Sequence, residues 1–199
     1  MEEAWNKNMA DKFSPSWINV LNESMMGWYN KFDPGFMCVG WKPCPFGNES
    51  HTICCGLTSV LWRAHIVEGK DRPAQMSLKL HSDLGITVGF IILICEPLFS
   101  TGKYVVMDSV FFVSNGIVAL VAKGVYVGAL IKKRRYWPKS VAGDLIEQNF
   151  AYKGVGGVDM LEASTEDGKP FRVFFLKYPE YVMKVMASWM TLDDLGGGQ

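Results

Sequence analysis

Asp108 closes the short apolar run Tyr104-Val105-Val106-Met107. A carboxylate at the C-terminal end of a strand sits where open α/β sheets gather their sites. Hard oxygen ligands from Asp and Glu are what a pair of divalent cations needs for phosphoryl transfer, where the ions activate a nucleophile and stabilise the leaving oxygen. A second position of interest is Asn22-Glu23, inside the extended candidate Ser16 to Trp28. On a strand, Asn22 shares a face with Ile18, Val20, Ser24 and Met26, and Glu23 points to the other side. A third is Asp159, in Gly156-Gly157-Val158-Asp159-Met160-Leu161-Glu162. Each has a plainer reading: a strand-end Asp is also a turn former or helix cap, and Asp159 and Glu162 also fit as solvent-facing residues beside a short strand.

Lys132, Lys133, Arg134, Arg135 and Lys139 place five cations in eight residues, with Tyr136 and Trp137 among them. Cations neutralise phosphates and aromatic rings stack on exposed bases, so the run fits DNA contact; it equally fits a solvated strand end or a nuclear import signal. Cys38, Cys44, His51 and Cys54 fall within seventeen residues and are possible zinc ligands. No Cys-x-x-Cys occurs, and an odd set of five cysteines without a signal segment reads as free thiols in a reducing compartment. His51 and His65 lie in strand-like apolar contexts and read as packed or surface residues. Gly154-Val155-Gly156-Gly157 lacks the Lys-Ser/Thr ending of a phosphate-binding loop.

The elements that must position these groups follow from periodicity. Thr52 to Leu57 and Val60 to Val67 read as a strand pair, with Gly56 or Thr58-Ser59 at the turn. Asp33-Pro34-Gly35 marks a turn, and the chain from there to Asn48 reads as loop. Leu84, Val88, Ile91, Ile92, Cys95 and Phe99 recur at three- and four-residue steps, the spacing of a buried helix face. Tyr104 to Met107, apolar on both faces, predicts a central strand. Asn115 to Lys123 predicts a helix closed by Gly124, and Val125 to Ile131 the next strand. Val141 to Ala151 is ambiguous. Val158 to Ala163, Phe171 to Lys177 and Tyr181 to Met190 predict a β-rich tail.

The order β-β-β-α-β-α-β with added strands predicts a mixed sheet with helices on its faces, of ribonuclease-H-like arrangement. The chain of 199 residues is 49% hydrophobic and 20% charged, with Lys+Arg 20 balancing Asp+Glu 20, which is a globular composition without a uniformly basic coat. Its most apolar stretch, Ile86 to Cys95, is about half the roughly 20 residues of a membrane-spanning helix.

Val20-Leu21-Asn22-Glu23-Ser24-Met25-Met26, Val106-Met107-Asp108-Ser109-Val110-Phe111, Tyr126-Val127-Gly128-Ala129-Leu130 and the basic run to Pro138 together resemble, in order and spacing, the transposase domain of piggyBac-type DNA transposons. The resemblance covers nearly the whole chain, so residues 1–199 are expected to form a partial piggyBac-type domain with 140–199 as a β-rich insertion or extension. It implies a DDE site holding Mg²⁺ or Mn²⁺, with Asp108 as metal ligand and second acid. It also implies DNA, as transposon ends, for a partner, a full-length transposase or a second copy as a possible associate, a nuclear location and no membrane. Asn22 stands where the family carries its first Asp. An amide offers one carbonyl oxygen and no charge, and the resulting loss of metal clamping slows the chemistry by orders of magnitude. The family's third acid opens a late helix. Asp159 resembles that motif but comes before the last strand pair, so the acid is expected beyond Gln199, with the fold's last helix missing. The expectation is an inactive transposase fragment. A co-opted DNA-binding or interaction module and a decayed relic stand as alternatives.

Overall fold

The computed structural model describes residues 2–67, 85–132, 143–164, 168 and 170–188. In chain order these form α1 (Glu2–Lys12), β1 (Ile18–Gly27), β2 (Met37–Cys38), β3 (Phe46–Cys55), β4 (Leu61–Ile66), α2 (Ile86–Cys95) with a 3-10 turn (Glu96–Leu98), β5 (Tyr104–Met107), α3 (Ser114–Ala122), β6 (Tyr126–Leu130), α4 (Gly143–Ala151), β7 (Val158–Ser164), β8 (Pro170–Lys177) and β9 (Val182–Ala187).

All nine strands join one mixed sheet in the order β2-β3-β1-β5-β6-β9-β8-β7, with β4 also on β3. β1 runs antiparallel to β3 and parallel to β5, and β5 runs parallel to β6. The parallel steps follow from the intervening chain: helices α2 and α3 carry it back across one face, as a parallel crossover requires. β9 then pairs antiparallel with β6, and β8 and β7 continue outward as hairpins.

Alternation along the strands sorts the two faces. Asn19, Leu21, Ile53, Cys55, Val105, Met107, Val127 and Ala129 are buried. They lie under Phe90, Ile91, Ile94 and Leu98 of the α2 segment and Ile117 and Leu120 of α3, within one cluster. α2 is apolar nearly all round, and seven of its ten residues are buried, as expected of a helix enclosed by protein rather than lying at a surface. Each fully buried Ile or Phe there contributes about 1.5–3 kcal/mol relative to exposure. Gly116 lets α3 lie close to α2: a Cβ on it would come 3.3 Å from Ile91 Cδ1. Gly124 ends α3 with φ 73°, and a Cβ there would approach Ser100 Cα at 3.0 Å, so both its conformation and its neighbour require glycine. The buried indole Nε1–H of Trp62 donates to Asn19 Oδ1 at 3.0 Å, which satisfies the one polar side chain on this face of β1 below Leu21.

Several expectations change. β3 starts at Phe46, six residues before the expected Thr52, because Asn48 and Ser50 pair in register with Met26 and Ser24 of β1. Val141 to Ala151, ambiguous in sequence, contains α4, whose Phe150 stacks against Phe175 of β8 with ring centroids 5.8 Å apart. β5, expected to be covered on both faces, has Val106 36% exposed. An N-terminal helix was not anticipated. α1 has no fully buried residue; Met9 packs partly buried against the core, and polar contacts fasten the rest. The Asn6 amide donates to Ala64 O at 2.8 Å and accepts from Ala64 N–H at 2.9 Å, while Glu2 accepts from Ile66 N–H at 2.8 Å. These contacts cap the free backbone groups of the edge strand β4, where another chain would otherwise add. Among the described residues, no helix is long and apolar enough to cross a membrane.

Candidate active site at the ends of β1 and β5

β1 and β5 pair in parallel from Ile18↔Tyr104 to Leu21↔Met107. The next residue on each strand is Asn22 and Asp108. Parallel strands in register present partnered residues to the same face, and neighbouring strands lie about 4.8 Å apart. Leu21 and Met107 are buried beneath the helices, so Asn22 and Asp108 share the opposite face, and both are exposed. The sequence separates them by 86 positions, and the crossover through α2 sets them side by side.

Asp108 also does the local work of a strand-end Asp. Its Oδ1 accepts from Ser109 N–H at 2.6 Å and its carbonyl accepts from Phe111 N–H at 3.0 Å, forming the turn that leads into α3. The side-chain amide of Asn22 has no hydrogen-bond partner among the described residues.

Asp159 does not join this pair. It lies on the outermost strand, β7, with β6, β9 and β8 between it and β5, about 19 Å away at about 4.8 Å per strand. Its carboxylate pairs with Lys153 at 2.7 Å and accepts from Met160 N–H. The Lys153 hydrogen bond is the main reason the carboxyl is held below its usual range. Glu162, three residues on, pairs with Arg172 on β8 at 2.9 Å. Lys132 is exposed just beyond β6, two strands from β1. Lys133, Arg134, Arg135 and Lys139 lie outside the described residues.

Glu23 faces away from Asn22, toward the helix side, as strand alternation requires. There it meets a group that the sequence reading did not assemble. His51 is its register partner on β3, and Glu49 lies two residues before His51 on the same face. Ligand atoms of Glu23, Glu49 and His51 all lie within 4.8 Å of one another. Lys42, from the chain between β2 and β3, bonds Glu23 Oε1 at 2.8 Å and donates to Glu23 O at 3.3 Å. His51 Nε2 lies 2.5 Å from Glu49 Oε1. That hydrogen bond is the largest influence on the Glu49 carboxyl and holds it below its usual value against the opposing effect of burial. The His51 ring is wedged edge-on against Phe90 and Phe111, at 4.6 and 5.1 Å between centroids. Lys42 offsets the Glu23 charge and His51 hydrogen-bonds Glu49, and the Lys42 contact ties the 28–45 segment to the helix side of β1. The signal available in sequence was the alternation of Glu49 and His51 on one strand, hidden because β3 was expected to start after both.

The cysteines do not join His51. Cys38 and Cys44 are exposed and Cys54 is half-buried, all as free thiols.

The piggyBac transposase, solved as a synaptic complex with hairpin DNA, aligns with a TM-score of 0.74 at 12% identity, covering 95% of this chain and 36% of that one. The chain thus spans about a third of the length of that transposase. Human ENDOV aligns with a TM-score of 0.39 at 10% identity over 98% of this chain and 86% of its own. Endonuclease V of Ciona intestinalis aligns with a TM-score of 0.33 at 11% identity over 93% and 80%. Neither of these two resembles the chain closely enough to bear on its fold. No curated protein sequence matches. The chain's fold is that of the piggyBac transposase, and since the family model described as Transposase IS4 matches residues 1–191, the chain belongs to that family of DDE transposases.

Proposed function

We propose that this chain is the ribonuclease-H-like portion of a piggyBac-type transposase that has lost metal-dependent strand cleavage and keeps DNA binding. The carrying observation is the pair Asn22 and Asp108, side by side where the parallel pairing of β1 and β5 ends. DDE transposases use divalent metal, and a two-metal centre needs several carboxylates around ions about 4 Å apart. The residues present do not fit that requirement. Among the described residues this face offers one carboxylate and one neutral amide, Glu23 faces away and is paired with Lys42, and Asp159 is three strands too far. No cleavage step is therefore assigned to the chain. Strands β9, β8 and β7 extend the sheet beyond β6, and we read them as the β-rich addition to the transposase core. The exposed Lys132, followed in sequence by Lys133, Arg134, Arg135 and Lys139, supplies the phosphate contacts, in keeping with action in the nucleus.

The test is a nicking assay on supercoiled plasmid with Mn²⁺, using the wild-type chain, Asn22→Asp and Asn22→Asp/Asp108→Asn. Wild type is expected to bind DNA with a steep salt dependence and to leave it intact. Nicking by the wild-type chain that Asp108→Asn abolishes would overturn the inactive reading. DNA binding too weak to measure at low salt would overturn the binding role.

A further inference from the structure

The chain between β1 and β3, residues 28–45, holds three aromatic rings in solvent: Tyr29 is 88% exposed, Phe32 84% and Trp41 85%. Loop residues that serve only to connect strands are ordinarily small or polar, and long irregular connections are commonly functional. This connection is not loose. Phe32 N–H donates to Asn30 Oδ1 at 3.2 Å, and Asn30 Nδ2 donates to Asp33 Oδ1 at 2.9 Å. Asn48 Nδ2 donates to Pro34 O at 2.8 Å, and Val39 N–H donates to Pro45 O at 2.8 Å. Lys42, next to Trp41, is tied to Glu23, the neighbour of Asn22. The backbone is fastened and the rings are held outward, on the same end of the sheet as Asn22 and Asp108.

The segment carries two cations, Lys31 and Lys42, against one acid, Asp33, and Lys42 is paired with Glu23. Lys31 Nζ lies 5.4 Å from the centroid of the Phe32 ring. The segment's one acid, Asp33, is occupied by Asn30. Aromatic faces with adjacent cations suit unpaired nucleobases, because every base presents a π-face and every nucleotide a phosphate. Bases stacked inside a duplex are closed to such rings.

We propose that residues 28–45 form a stacking platform for unpaired DNA bases, with Trp41 the ring anchored to β1 through the neighbouring Lys42–Glu23 pair. The platform rests on the DNA-binding reading above and narrows it to single-stranded or frayed ends.

Fluorescence anisotropy with a labelled single strand and a blunt duplex of the same sequence tests it on the full chain. The variants are Trp41→Ala, Trp41→Phe, Tyr29→Ala/Phe32→Ala, and Tyr152→Ala as control, since Tyr152 is 94% exposed outside the segment. Trp41→Ala is expected to weaken single-strand binding about tenfold, the loss of one stacked base. Duplex binding should change less than about twofold on the same basis. Trp41→Phe should retain most affinity, and the control all of it. All these rings are exposed, so the variants should melt as wild type does. Unchanged single-strand binding in the alanine variants, or equal loss on both DNAs, overturns the platform and leaves the DNA reading standing. A wild-type chain that binds neither DNA overturns both. Variants that bind DNA normally but lose self-association in sedimentation overturn the platform by assigning the rings to a protein contact.

Discussion

Replacing Asn22 by Asp places a second carboxylate beside Asp108, one strand away and on the same face. At about 5 Å two unit charges repel by about 1 kcal/mol under water-like screening and about 3 kcal/mol at an effective dielectric near 20. Both positions are exposed, so the lower figure governs. A cost of about 1 kcal/mol should lower the melting temperature of a chain this size by about 2–4 °C when metal is chelated. The same repulsion makes the pair a better ligand for a divalent cation. Mn²⁺ at about 100 times its dissociation constant would return about 2.7 kcal/mol, which more than reverses the loss. Thermal melts followed by circular dichroism, in chelator and then across a Mn²⁺ series, read both effects. Asn22→Asp should melt lower than wild type in chelator and gain stability with Mn²⁺, and Asn22→Asp/Asp108→Asn should lose that gain. A Mn²⁺ shift of equal size in wild type and both variants would refute the adjacency argument. So would an Asn22→Asp variant more stable than wild type without metal, because two neighbouring carboxylates cannot stabilise each other when both are charged.

The ion pairs on the other face give further tests. Lys42→Met should cost about 1–2 kcal/mol in a urea melt, between the values for surface and buried pairs, because it leaves the mostly covered Glu23 without its cation. Adding Glu23→Gln should recover part of that loss. The Glu49 carboxyl is held below its usual value, first by the hydrogen bond from His51. Its contribution is therefore full above that unfolded value and lost as pH falls through the lower folded value, so Glu49→Gln should flatten the acid limb of stability against pH. Among the thiols, Cys38 and Cys44 are exposed and should be alkylated within the native state. Cys95 is fully buried and its thiol is pushed up to about 12 by that burial, so mass spectrometry should find it modified only on unfolding.

The central sheet was legible because its elements differ in period. The three- and four-residue steps of Leu84 to Phe99 could not be mistaken for a strand, and that helix is what forces β1 and β5 to run parallel. Gly124 announced the end of α3 because a left-handed residue there faces Ser100 at a distance only glycine tolerates. α1 was not legible, since only Met9 packs partly against the core, which makes no apolar stripe, and Asn6 and Glu2 hold it to a strand about sixty residues away. β3 was shortened for a related reason. Phe46 to His51 reads polar, and its pairing with β1 depends on backbone register and on Asn48 and Ser50 finding backbone partners.

The site divides along the same line. Alternation along β1 alone places Asn22 and Glu23 on opposite faces, and a carboxylate after a central apolar strand is where an α/β sheet gathers chemistry. The two observations together bring Asn22 to Asp108 once the strands are known to be parallel neighbours, which the sheet shows. What no local pattern carries is the cross-strand company of Glu23. Its contacts with Lys42, Glu49 and His51 require the register Glu23↔His51 and a connection that folds back over the strand. Those contacts also limit the chemistry. A carboxylate already neutralised by an ammonium at 2.8 Å, on the far face of the sheet, cannot replace the charge missing at Asn22 without abandoning the anchor that holds Trp41 in place. Under the proposed reading Glu23 does not substitute for an acid at position 22, and its ion pair with Lys42 fixes the 28–45 segment against β1.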